Sequence, residues 1–128
     1  MSEIFDCVYN RDITGINNYI MDGGELNIIM YPLGLTPLLL ALENNYYDIA
    51  ETLLFYGANV NITDLDGTTL LHHLCAAGNI SSILFLLQNG AYPNAIDANG
   101  IRPINLLHDS QISTDAITYD MLHSYGMR

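Results

Sequence analysis

Residues 57–74 read GANVNITDLDGTTLLHHL, and residues 90–107 return the same theme as GAYPNAIDANGIRPINLL. Gly57, Ala58, Asn61, Asp64 and Gly67 meet Gly90, Ala91, Asn94, Asp97 and Gly100, each pair 33 positions apart. One offset held at five positions without a gap marks an internal repeat. A period of about 20–50 residues is the mark of a solenoid, in which each unit hides its apolar face on its neighbours.

Working outward, Gly34–Asn61 (GLTPLLLALENNYYDIAETLLFYGANVN) lies in register with Gly67–Asn94 (GTTLLHHLCAAGNISSILFLLQNGAYPN). Each predicts a short apolar helix, a Gly/Asn break, a second amphipathic helix, then a glycine, an alanine and an extended finger. Thr36 is placed to cap the first helix and Pro37 fits its first turn, where a missing N–H costs nothing. Asn44–Asn45 and Ala77–Gly78 end the first helices. Ile49, Ala50, Leu53 and Leu54, with Ile83, Leu86 and Leu87, follow the spacing of one buried face, and Glu51 and Ser82 are expected on the outer, substitution-tolerant face. Gly57 and Gly90 supply the left-handed residue that closes each helix pair.

The period, the stretch GLTPLLLA and the stretch LLFYGANVN resemble the ankyrin repeat, whose pattern runs Gly-x-Thr-Pro-Leu-His-x-Ala and ends Leu-Leu-x-x-Gly-Ala-x-x-Asn. The resemblance implies an all-α solenoid of about four stacked helix-turn-helix repeats in one domain over 1–128. The repeats fall at approximately 1–29, 30–63, 64–96 and 97–128, with divergent caps at both ends. In the first segment Gly23 and Asn27 take the places of Gly57 and Asn61, and Cys7 falls where Ala41 falls, a small-residue position. The last segment runs from GIRPINLLHDS to TDAITYDMLHSYG. Its matching glycine is Gly126 rather than residue 123, an insertion of about three residues between its helices. The first finger, Asn27 to Gly34, is one residue longer than the next, Asn61 to Gly67.

Composition narrows the function classes. Fourteen acids face three bases, Arg11, Arg102 and Arg128, for a net charge of −11, and there is no lysine. Nucleic acid and anionic membrane surfaces need a cationic face, so both are disfavoured, and a basic protein partner is favoured. No apolar run approaches the ~18 residues that span a bilayer. The start MSEIFDCVYN lacks a basic region followed by an apolar one. The expected location is the cytoplasm, of the producing cell or of a host cell entered by injection or infection. Cys7 and Cys75 show no metal or redox spacing and are expected as two reduced, buried thiols.

Catalytic patterns are absent from the sequence. There is no phosphate-cradling glycine loop, no Gly-x-Ser-x-Gly and no His-Glu-x-x-His. His72 takes the position of the ankyrin histidine, which the resemblance makes a structural hydrogen-bonding residue at the helix start. His73 points about 100° away round the helix, and His108 and His123 pair with no Cys or Glu at ligand spacing. Asp64, repeated at Asp97, reads as a turn residue rather than as half of an acid–base pair with Asp66. No enzyme activity, metal, cofactor or small-molecule substrate is expected.

The fingers carry the binding expectation. Their tips normally meet water, yet they hold Met30, Tyr31, Leu33 and Leu35 in the first, Leu65 in the second and Ile101 in the last. Glu43, Asp66 and Asp109 are expected to edge this apolar strip, as the rim of a protein-binding face. Asn44, Thr68, Ala76 and Asn99, on the same fingers and first helices, complete the candidate set. The expected function is non-catalytic binding of a protein with a basic surface, by a chain that is a monomer before complex formation, and inhibition by occlusion. An immunity-type neutraliser of a toxin is the first version. The alternatives are a host-directed effector or viral antagonist of a signalling or ubiquitin-pathway protein, and an acidic nucleic-acid mimic.

Overall fold

The computed structural model describes residues 3–107 and 116–128. Among them run α1 (Glu3–Tyr9), α2 (Ile13–Met21), α3 (Pro37–Glu43), α4 (Tyr47–Phe55), α5 (Leu70–Ala77), α6 (Ile80–Gln88), a one-turn 3-10 helix (Pro103–Leu106) and α7 (Ala116–Ser124). α1 and α2, α3 and α4, and α5 and α6 form short pairs joined by tight turns, and the chain divides into two compact units, Met1–Asn59 and Val60–Arg128.

In the first unit α1 packs on α2 and α3, and α3 packs on α4. Its core is Ile4, Phe5, Val8, Ile16, Leu38, Leu39, Leu42, Ile49 and Leu53, all buried. The helices stop where the sequence stops supporting them. Thr36 accepts a hydrogen bond from the Leu39 amide at 3.1 Å, so its hydroxyl satisfies one free N–H of the first turn. At the far end Asn44 caps α3 and Asn45 takes a left-handed φ of 57°. Between α1 and α2 the chain passes closely at Gly15. A methyl group there would stand 2.8 Å from the Cys7 sulfur and closer still to the Asp12 carboxylate that caps α2.

In the second unit α5 packs on α6 and on the 3-10 helix. The buried residues include Leu70, Leu71, Leu74, Cys75, Ile83, Leu86 and Leu87, with Leu122 and Met127 from the last segment. Thr69 caps α5 and Asn79 caps α6 through the Ser82 amide. Gly78 ends α5 at φ 70°, with its N–H on the Leu74 and Cys75 carbonyls.

The repeat asparagines supply a second layer of order. Asn27 Oδ1 accepts from the Asn59 amide, Asn61 Oδ1 from the Tyr92 amide and Asn94 Oδ1 from the Arg128 amide, at 2.8, 2.8 and 2.9 Å. In each case the donor is the second residue past the closing glycine, Gly57, Gly90 or Gly126. Asn61 and Asn94 also donate to the carbonyls of Gly90 and Gly126. Closing Gly23, Gly57, Gly90 and Gly126 all hold φ between 85° and 98°.

Three expectations are corrected. Leu54 is half-buried rather than buried, because Ile49, Ala50 and Leu53 already fill the inner face of α4. Ser82 is buried at 0% exposure rather than outward-facing. It stands four residues before Leu86, on the same buried face of α6. Cys7 is half-buried, in contrast to fully buried Cys75. The proposed insertion in the last segment falls largely outside the described residues.

Candidate protein-binding surface

Each finger is a short turn between an extended segment and a helix cap, and in the second and third the carboxylate at its base sets its shape. Asp64 Oδ1 accepts from the Asp66 and Thr68 amides at 2.9 and 3.0 Å. Asp97 does the same for Asn99 and Ile101 at 2.8 and 2.9 Å. One oxygen thus satisfies two backbone donors that would otherwise face water or nothing. The turn is held by its own hydrogen bonds, and its tip side chains are not used in holding it. In the second finger those are Leu65, 90% exposed, and Asp66, also exposed.

The first finger is built differently. Met30 stands at its base where the others have aspartate, and backbone pairing holds it instead: the Met30 amide donates to Leu35 at 2.7 Å, and the Leu35 amide donates back at 3.2 Å. The longer loop between them presents Tyr31 and Leu33, 52% and 71% exposed, with a cis peptide before Pro32. Met30 and Leu35 are half-buried at its base. The same unit carries Glu43 and Asn44 at the end of α3, both exposed. Asn44 Nδ2 donates to the Leu40 carbonyl at 2.8 Å, so this side chain serves the helix end as well as the surface. Partial burial of the Glu43 carboxyl raises its pKa, although the residue as a whole counts as exposed.

The second unit brings its two fingers together. The Ala98 amide donates to the Asp66 carbonyl at 2.8 Å, and a methyl group on Gly67 would stand 3.3 Å from the Asp97 Cα. Gly67, at φ 73°, is thus required twice, for its turn and for the close approach of the next finger. Thr68 and Ile101 are half-buried, while Asn99 and Ala76 are exposed. Asp109 and His108 lie outside the described residues.

His72 is the structural hinge of this unit. Its Nδ1 accepts from the Thr69 amide at 3.1 Å, while the His72 amide donates to Thr69 Oγ1 at 3.2 Å. This is a capping box with imidazole in place of the usual carboxylate. Because Nδ1 accepts, the proton sits on Nε2, which donates to the Ile101 carbonyl at 2.8 Å. The ring is buried and ties the start of α5 to the following finger. Asn105 repeats half the device, accepting from the Arg102 amide at 3.1 Å. Burial lowers the pKa of neighbouring His73, with Asp64 pulling weakly the other way. Among the described residues no group of three His, Cys, Asp or Glu could hold a metal ion. No helix among them is long and apolar enough to cross a membrane.

One feature of the surface was not expected. In the first unit a groove of about 480 Å³ is lined by Ile13 and Asn17 of α2, by Asp48, Glu51, Thr52 and Phe55 of α4, and by Tyr56. The residues of α4 recur at the spacing of one helix face, so the pattern was present in the sequence. Its apolar members are too few to stand out against the buried face beside them.

Comparison with known proteins gives the same picture of the chain. The family model "Ankyrin repeats (3 copies)" matches residues 4–97. The XBAT34 protein of Arabidopsis thaliana, which carries the name of an E3 ubiquitin-protein ligase, is 38% identical over 97 residues, 73% of this chain and 26% of its own. Alpha-latroinsectotoxin-Lt1a of Latrodectus tredecimguttatus is 44% identical over 55 residues, 43% of this chain and 4% of its own. The B-cell lymphoma 3 protein homolog of Mus musculus is 32% identical over 69 residues, 54% of this chain and 15% of its own. The chain therefore spans about a quarter or less of the length of these relatives.

Proposed function

The chain belongs to the ankyrin-repeat family, and from that premise we propose that it binds a protein with a basic surface through its fingers and first helices and inhibits it by occlusion. Ankyrin repeats are protein–protein interaction modules. The observation that carries the finer reading is the exposure of Tyr31, Leu33 and Leu65 on turns fixed by hydrogen bonds. Exposed apolar side chains on a rigid turn bind with little loss of conformational freedom. The net charge of −11, with exposed Asp66 next to Leu65 in the chain and exposed Glu43 at the end of α3, favours a cationic partner and fast encounter. An immunity-type neutraliser of a basic toxin fits these features best.

The test begins with capture of the partner from the source organism and titration of the purified pair. Tyr31→Ala or Leu33→Ala should weaken binding by about 1–3 kcal/mol with the fold unchanged, as for truncated interface anchors. Asp66→Asn should act on the association rate, and its effect should shrink with added salt. Partner activity should fall in step with complex formation. Full binding by the Tyr31, Leu33 and Leu65 variants would remove the fingers from the interface.

A second reading rests on the absence of lysine. A chain with no ε-amine offers lysine-directed ubiquitin transfer no acceptor, which suits an antagonist that works beside ubiquitin-pathway proteins. Exposed Gln88→Lys tests this in a reconstituted ubiquitination reaction with the captured partner. Modification of the lysine variant and not of the natural chain supports the reading, and no modification of either rejects it.

A further inference from the structure

The groove between α2 and α4 combines features that no packing role uses. Phe55 is 82% exposed, and its ring meets that of Tyr56 edge to face at 5.1 Å. Ile13 faces them across the opening as a third exposed apolar side chain. Asn17 lines the same groove, and its Oδ1 is closed off from solvent with no hydrogen-bond partner among the described residues. A buried acceptor without a donor carries its full desolvation cost, so a donor arriving there is favoured.

The charges at the groove are asymmetric. Arg11 pairs with Asp48 at 2.8 Å and lies over the Tyr46 ring at 4.8 Å. That pairing ties the start of α2 to α4 and holds the Asp48 carboxyl below its usual pKa. It also commits Arg11, and none of the residues lining the groove is a cation. Glu51 is exposed and has no ion-pair partner among the described residues. An apolar recess with one uncompensated carboxylate, on a chain of net charge −11, is complementary to a cation carried beside an apolar group.

We propose that this groove is a second docking site, for a polypeptide segment that sets an arginine or lysine next to an aliphatic or aromatic side chain. The apolar side chain seats among Ile13, Phe55 and Tyr56, the cation reaches Glu51, and a donor of the segment satisfies Asn17 Oδ1 once that amide turns toward the opening. The site is separate from the fingers and takes its support from other residues, so it stands or falls independently of the finger reading.

The full chain, isotope-labelled for NMR, is titrated with a capped hexapeptide of alternating arginine and leucine, and with its glutamate–leucine counterpart. The arginine peptide should shift resonances of residues 13–17 and 48–56 and leave the fingers unmoved, while the glutamate peptide should shift neither. Phe55→Ala should weaken binding about tenfold, as expected of an aromatic anchor, with thermal stability retained because the ring is exposed. Glu51→Gln should cost about threefold, a difference that vanishes in high salt. Asn17→Leu, which removes the acceptor and keeps the volume, should also weaken binding. Shifts centred on the fingers, or equal response to both peptides, would overturn the proposal. So would self-association in sedimentation that Phe55→Ala abolishes, since the occupant would then be a second copy.

Discussion

At the scale of single residues, burial sorts the titratable groups into those that respond to solvent and those that do not. Burial pushes the Cys75 thiol up to about 12, while Cys7, half-buried, is raised by burial and then by the nearby carboxylates, with Asp12 the foremost. Only a thiolate attacks a disulfide reagent, so at pH 8 the native protein should label at Cys7 first. Cys75 should label at the rate of unfolding, and mass spectrometry of a time course reads the order. Cys75 labelling as fast as Cys7 would place it outside the core. His73 carries a pH effect of defined sign. Its folded pKa lies below the ordinary 6.5, so the unfolded chain takes up a proton more readily. Stability present above pH 6.5 should therefore fall as the solution is acidified from there, and His73→Gln should flatten that slope in denaturant melts taken between pH 7 and 5. His72 shows how far such roles could be read in advance. Its position predicted a structural hydrogen-bonding residue, but the Ile101 carbonyl 29 residues away bears no sequence signature, because every residue has one.

Helices and fingers were legible where period and pattern agreed. Thr36, Pro37, Asn44 and Gly78 stand at the helix ends where the sequence placed them, and Asp64 and Asp97 shape their turns as expected. Ser82, expected on the outer face, is buried. A shift of 33 sets it on Ile49, which is wholly buried, so the repeat held the answer that the hydroxyl concealed. Leu54 and Leu87 occupy the same register but differ in burial, half-buried against buried. Leu87→Ala should accordingly cost about 2–5 kcal/mol in urea unfolding, and Leu54→Ala clearly less. Equal losses would mean that register alone, and not local packing, sets the burial. In the candidate site, exposure of Tyr31, Leu33 and Leu65 was legible from the finger alignment. The groove at Phe55 was not, since it arises from residues of two helices that share no motif.

For the whole molecule the dominant quantity is charge. Fourteen acids and three arginines leave a self-repulsion that compaction must overcome, and dissolved salt screens it over about 8–10 Å. Sodium chloride raised from low to physiological strength should increase the melting temperature by about 2–5 °C, on the scale at which a kcal/mol shifts a domain of this size. A fall would show that ion pairs such as Arg11–Asp48 outweigh the repulsion.

The asparagine bonds between successive repeats have a practical corollary for anyone lengthening or splicing such a chain. Donor and acceptor are separated by 32, 31 and 34 residues, yet each bond lands on the second residue after a glycine. The bond counts from the glycine and ignores how much chain was spent on the way. Extra residues placed in the turn between paired helices should be absorbed as slack. One extra residue placed between Gly90 and Tyr92 would carry the wrong amide to Asn61, and that joint would lose its index.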